Sequence, residues 1–312
     1  MGSKFEDIIN ESKIVLTEGA LVERLKSEFN AEMESEINHA GLIYTNPDIL
    51  EKLYRQYIEI GLKQNLPMMI MTPTRKVNFE SLKKSKFASK NLIKDSCVFL
   101  NEIKERYGTY SQKILIGGLL GCKGDAYSNE NALPMDESYQ FHKREVLQFS
   151  EEKIDFLFAG IMPEVNEAKG MARAMAESNI PYIISFTVRK NGCLIDGTPI
   201  SEAIRIIDES VDPKPIFYMA NCIHPTNLRL ALEHEKNRNQ SELARFKGIQ
   251  ANASDLSPEE LNSCGILHQD DFDQMIAEMQ LLYKQFNLKV LGGCCGTNDK
   301  FIDSLSKCFI EK

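Results

Sequence analysis

Short apolar runs recur along this chain, each followed by a polar or glycine-bearing turn and then by a segment with apolar positions at helical spacing. Ile14 to Leu16 closes in Thr17-Glu18-Gly19 and precedes the helical pattern LVERLKSEF of residues 21–29. Pro67 to Met71 (PMMIM) follows a long helical stretch from Asn46-Pro47-Asp48 to Gln64, where the asparagine offers a cap and the proline suits a first turn. Later runs are Lys113 to Ile116, Ile154 to Ala159, Pro181 to Thr187, Ile216 to Ala220, Lys247 to Ala251 and Lys289 to Leu291. Helical spacing marks residues 92–107, 139–152, 167–178, 200–209, 227–234, 272–286 and 300–309. Asn191-Gly192 and Asp196-Gly197 read as turns, and Gly117 to Tyr127 as a long glycine-rich loop.

About eight such strand–helix units fit a (β/α)8 TIM-type barrel, whose usual length is roughly 250 residues. An open doubly wound sheet is the alternative. The closed barrel is preferred because the units reach eight and because Glu18, Thr72, Gly117, Glu164, Ser185, Asn221, Asn252 and Gly292 recur after the strands, on the face where such barrels carry active sites. No linker or low-complexity tract divides the chain, so residues 1–312 read as a single domain.

On that face the stretch Leu288 to Thr297, LKVLGGCCGT, places two adjacent cysteines between glycines. Neighbouring side chains on a strand point to opposite faces, so Cys294 and Cys295 serve one metal only if the strand ends and the chain turns. Gly292, Gly293 and Gly296 permit that turn. A catalytic zinc site normally has three protein ligands and one open position, and Cys222, at the end of Pro215 to Ala220 (PIFYMA), is the best third candidate. On spacing alone, Cys294 and Cys295 read equally well as small core residues or as a vicinal disulfide.

Charge narrows the partners. The chain carries 37 basic and 45 acidic residues, a net charge of -8, which argues against nucleic acid or an anionic membrane and for small molecules or proteins. No run approaches the roughly 18 apolar residues of a membrane span. MGSKFEDIIN lacks a signal-peptide core, and Glu6 stands where a myristoylation signal has Ser or Thr, so the protein is expected to be cytoplasmic. Eight cysteines show no disulfide-framework spacing and are expected as free thiols or metal ligands. Cys97, Cys193, Cys264 and Cys308 read as ordinary thiols, and Cys122 lies in the glycine-rich loop. His224 belongs to a His-Pro pair before a helix rather than to a ligand set, while His39, His142, His234 and His268 have no partner at ligand spacing and read as surface or capping residues. The glycines at 117, 118, 121 and 124 lack the Lys-Ser or Lys-Thr of a P-loop.

Four motifs together resemble the homocysteine S-methyltransferase family over nearly the whole chain: Asn221-Cys222, GGCCGT at Gly292 to Thr297, GDAY at Gly124 to Tyr127 and Asp196-Gly197-Thr198-Pro199. The resemblance implies a β/α barrel holding Zn2+ on Cys222, Cys294 and Cys295, with Glu18, Asn221 and Glu164 facing the substrate. It implies transfer of a methyl group from a small sulfonium or ammonium donor to the thiolate of homocysteine, giving methionine. S-methylmethionine or S-adenosylmethionine is expected over methylfolate. Zinc would keep the acceptor deprotonated at neutral pH, where a free thiol of pKa about 8.5 is mostly protonated. This sequence departs from the family pattern at three strand ends. Glu18-Gly19 stands for Asp-Gly, Gly160-Ile161 for Glu-Thr, and Gln250-Ala251-Asn252 for Tyr-Pro-Asn. The second departure removes the acid that would face a substrate ammonium. The alternative function is therefore a zinc-thiolate barrel that binds or senses, or one that takes a different thiol.

Overall fold

The computed structural model describes residues 3–128, 130–238, 240–256 and 271–310; Cys264 and His268 lie outside them. Eight strands run β1 (Val15–Thr17), β2 (Met68–Met71), β3 (Ile114–Leu120), β4 (Phe156–Met162), β5 (Tyr182–Phe186), β6 (Tyr218–Ile223), β7 (Phe246–Ala251) and β8 (Val290–Gly293). They pair in chain order, all parallel, and the ring closes where Val15 meets Val290 and Leu16 meets Leu291. The closed (β/α)8 barrel is thus the architecture, and the open sheet is excluded. Nearly every strand residue is buried, as expected when side chains of one parity fill the barrel and those of the other pack under the helices.

Several strands run further than their apolar runs suggest, β3 and β4 among them. β3 continues through Gly117 and Gly118 to Leu120, so the glycine-rich segment begins as strand rather than being all loop. A Cβ on Gly117 would lie 2.5 Å from the Phe156 ring, and one on Gly118 would lie 2.8 Å from Phe149. The glycines serve close approach of aromatic rings on both faces of the strand, not a turn. β4 likewise continues to Met162, with a register shift against β5 between Gly160 and Met162. Asn46 sits at the helix boundary, but its side chain makes no capping bond; Pro47 alone fixes the first turn of Pro47–Gln64.

The floor of the barrel is closed by a helix the apolar pattern did not single out, Lys4–Glu11. Ser3 accepts from the Glu6 N–H while the Glu6 carboxylate accepts from the Ser3 N–H, a capping box that starts the helix. Phe5 stacks on Phe156 at 4.5 Å between centroids, and Phe5 and Ile9 join Val15, Met69, Leu115, Phe217 and Val290 in the barrel's inner core. Burying two such side chains is worth about 2–3 kcal/mol each. Val15, Phe156 and Val290 are the first residues of their strands, so this helix covers the amino ends and leaves the carboxyl ends free. Among the described residues no helix is long and apolar enough to cross a membrane.

Candidate metal centre and its cavity

At the carboxyl ends the Sγ atoms of Cys222, Cys294 and Cys295 all lie within 4.8 Å of one another. Cys222 stands 3.4 Å from Cys295, and Cys294 stands 4.0 Å from Cys295. Sulfurs at ~2.3 Å from a tetrahedral zinc lie about 3.8 Å apart, so the measured separations bracket what the metal needs. All three are free thiols, and no other group of three or more potential ligands occurs among the described residues.

Local backbone produces this convergence. The ladder between β6 and β7 breaks between Asn221 and Ile223, and Cys222 takes φ 59°. A left-handed cysteine costs on the order of 1–2 kcal/mol, and it turns the side chain out of the regular strand alternation. Gly292 and Gly293 remain in β8, so they do not make the expected turn. The turn comes after them: Thr297 N–H and Oγ1 both donate to the Cys294 carbonyl, at 3.2 and 2.7 Å, and Gly296 takes φ 76°. Cys294 N–H donates to the Ala251 carbonyl and Ala253 N–H to the Cys295 carbonyl, which fastens the CC pair to the end of β7. The Glu23 carboxylate accepts from Gly296 N–H at 2.6 Å.

The thiols share their protons unequally. Hydrogen bonds from Cys294 and Cys295, and one from Tyr127, favour the thiolate at Cys222, while the same contacts and burial hold Cys294 and Cys295 as thiols. Asn252 Nδ2 also approaches the Cys222 sulfur at 3.7 Å. A dipositive ion in this spot would take the place of those protons.

Cys294 and Cys295 line a cavity of about 490 Å³ together with Glu18, His39, Arg75, Tyr127 and Asn221 among others, while Cys222 lines a second cavity of about 220 Å³. Glu18 is 6% exposed, its carboxylate accepts from Met71 N–H at 3.0 Å, and burial raises its pKa to about 8. Asn221 belongs to a polar chain across the barrel: Ser185 Oγ donates to Asn221 Oδ1, Asn221 Nδ2 to Gln250 Oε1, and Gln250 Nε2 to Thr17 Oγ1 at 3.0 Å. Gly160 and Ile161 line the cavity without bringing an acid to it.

The structure does not bring Glu164 into this cavity. Its carboxylate caps the helix Val165–Ala176, accepting from Glu167 N–H at 2.7 Å and from Asn166 Nδ2 at 2.8 Å. Asp196 of the DGTP turn accepts from Val165 N–H at 2.8 Å, so that motif also serves the start of this helix.

Two histidines expected as surface or capping residues are buried. His39 lines the cavity, and His142 shares a hydrogen bond with fully buried Glu167 at 3.2 Å. Glu167 also accepts from Lys123 N–H at 2.7 Å and from Leu133 N–H at 3.3 Å, spanning the loop that carries Tyr127 to Cys222. His234 caps, one of the two roles expected for it, through Nδ1 acceptance from Lys236, and His224, expected only as part of a loop before its helix, caps through Nδ1 acceptance from Thr226. Tyr127, Arg75 and Glu167 were not singled out from sequence; only Tyr127 stood in a noted motif, GDAY.

Fold and site together define a (β/α)8 barrel with three convergent thiols at the strand ends and a cavity beside them. The sequence model of the homocysteine S-methyltransferase family matches residues 15–309. Similar proteins include a homocysteine S-methyltransferase of Escherichia coli (strain K12), 20% identical over 309 residues covering 96% of each chain. Homocysteine S-methyltransferase 2 of Saccharomyces cerevisiae is 22% identical over 285 residues, covering 84% of this chain and 80% of the relative. The metallated crystal structure of the Escherichia coli homocysteine methyltransferase MmuM superposes with a TM-score of 0.75 at 19% identity, covering 98% of this chain and 99% of that one. The chain belongs to the homocysteine S-methyltransferase family and is a methyltransferase.

Proposed function

We propose that this protein moves a methyl group from a small sulfonium donor to the thiolate of homocysteine or a related thiol, with Zn2+ held by Cys222, Cys294 and Cys295. The observation that carries the reading is the approach of three sulfurs within 4.8 Å, two of them, Cys294 and Cys295, on the wall of a cavity large enough for a small substrate. Zinc bound there supplies one open position at which an acceptor thiol is kept deprotonated at neutral pH.

The chain's own residues then have definable tasks. Cys222, Cys294 and Cys295 hold the metal, and Tyr127 and Asn252 donate toward the Cys222 sulfur, tempering its charge. Asn221, fixed by Ser185 and Gln250, presents a rigid polar wall to the acceptor. Glu18, which lines the cavity, is the acid that would meet an ammonium. In the reaction the acceptor thiol gives its proton to solvent, its sulfur forms a bond to the donor methyl carbon, and the donor's sulfur–methyl bond breaks. The donor leaves as a neutral thioether, and homocysteine becomes methionine. No general base on the protein is required. A reducing, cytoplasmic setting suits a centre that works only while its thiols stay reduced.

The alternative, a metal-thiolate barrel without this activity, is favoured by one observation: the cavity's buried acid holds its proton up to about pH 8, and Gly160-Ile161 offers none. The deciding experiment is a methyl-transfer assay of the zinc-loaded protein with homocysteine and, in turn, S-methylmethionine and S-adenosylmethionine. Methionine formed with one of them supports the activity. Stoichiometric zinc with no methylated thiol from either donor would leave the alternative standing.

A further inference from the structure

One wall of the cavity carries Arg75, which has no ion-pair partner among the described residues. Arg75 follows β2 in the turn Thr72-Pro73-Thr74, which is fixed by a 2.7 Å bond between the two threonine hydroxyls and by Thr74 Oγ1 donating to the Leu119 carbonyl at 2.7 Å. Arg75 lines the cavity, is half-buried, and its side chain makes no hydrogen bond or ion pair among the described residues. His39 is 6% exposed, lines the same cavity, and has a buried Nδ1 with no hydrogen-bond partner among the described residues. Burial, and the Arg75 charge close by, lower the His39 pKa to about 3, so the imidazole is neutral.

The other titratable groups on this cavity do not complete Arg75. Glu18 is engaged with Met71 N–H and Glu23 with Gly296 N–H, while Lys26 adds a second cation at the exposed rim. A guanidinium fork with free donors, next to a neutral ring with an unmet nitrogen, matches a carboxylate. Resting on the methyl-transfer reading above, we propose that Arg75 and His39 form the carboxylate subsite for the acceptor, so that the acceptor class is a thiol carboxylic acid whose ammonium group is dispensable.

The test is calorimetric binding to the zinc-loaded protein of 4-mercaptobutyrate, which is homocysteine without its amino group, and of 3-mercaptopropan-1-ol, which lacks the carboxylate. Wild type should bind the carboxylate about 10- to 100-fold more tightly, the worth of one charge-assisted pair. Arg75→Met should erase that preference and leave the alcohol's affinity unchanged. Arg75→Lys should recover part of it, since a point charge replaces the fork. Equal binding of the two thiols by wild type, which needs no variant, overturns the proposal, as does an equal loss for both in Arg75→Met.

Kinetics separate the source of the carboxylate. A rise in KM for the donor alone in Arg75→Met would place the donor's carboxylate there and overturn the acceptor assignment. Absence of methyl transfer with every donor would sink the activity while the calorimetric preference still decides the subsite.

Discussion

Replacing Glu18 with glutamine removes a proton site from the barrel interior while keeping an acceptor for Met71 N–H. In the unfolded chain this carboxyl titrates near 4.5; in the fold, burial moves it to about 8. Between those values the unfolded state has lost the proton that the folded state still holds. Stability therefore falls as pH rises from 4.5 toward 8 and levels off above it. At pH 7 the difference from 4.5 amounts to on the order of 3 kcal/mol. Glu18→Gln carries no such penalty. The metal-free variant should exceed wild type in melting temperature by roughly 5 °C at pH 7, with the gap closing by pH 4. Scanning calorimetry of both proteins from pH 4 to 9 measures it.

The same proton governs substrate choice. Ionising Glu18 to meet an ammonium at pH 7 costs about one pH unit, or roughly tenfold in affinity. Homocysteine should gain on 4-mercaptobutyrate by up to about tenfold per unit as pH rises toward 8, then no further. Both thiols lose their own proton on binding, so that contribution cancels in the ratio. In Glu18→Gln the ratio should not move with pH. A melting-temperature gap that is flat in pH, or a homocysteine preference that survives Glu18→Gln unchanged, would refute the assignment of a buried, protonated Glu18.

The metal-loaded protein should contain about one zinc per chain, and Cys222→Ala, Cys294→Ala and Cys295→Ala should each lose it, because two thiolates are a poor tetrahedral site; stoichiometric zinc in Cys294→Ala by elemental analysis would remove the triad. Zinc-free protein left without reductant should lose titratable thiols at these cysteines, whose sulfurs stand 3.4 and 4.0 Å apart, and reductant with zinc should restore metal binding. Glu167→Ala should destabilise the fold by about 3 kcal/mol, since it strands His142 and two backbone donors; hydrogen exchange at Lys123 and Leu133 should quicken, and unchanged exchange there would deny Glu167 its hold on the Tyr127 loop. Gly117→Ala should cost about 1–3 kcal/mol in denaturant unfolding, because its Cβ would meet the Phe156 ring at 2.5 Å.

The order of apolar runs and helical patterns determined by itself a parallel α/β architecture of about eight strand–helix units, because strands buried on both faces must be apolar throughout; that the sheet closes into a barrel was decided by the pairing of β1 with β8. The three cysteines were legible for a related reason: each stands just after an apolar run, and strand ends of one parallel barrel share one face. Their convergence was not. It depends on the left-handed turn at Cys222 and on bonds from β7 that seat the CC pair, which no local pattern encodes.

Side chains on loops were the least legible. Glu164 stands close in sequence to the expected acid, yet the start of its own helix claims its carboxylate. His39 and Arg75 are 36 residues apart in numbering and carry no ligand spacing, and only the folded chain puts them on one wall. Gly117 and Gly118 read locally as a turn because backbone freedom is what glycine most often supplies; the fold uses their missing Cβ instead, to seat Phe156 and Phe149. The capping box at Ser3 and Glu6 was written in the sequence, whereas its helix's place against Phe156 and Phe217 was decided by a barrel floor that exists only after the ring closes.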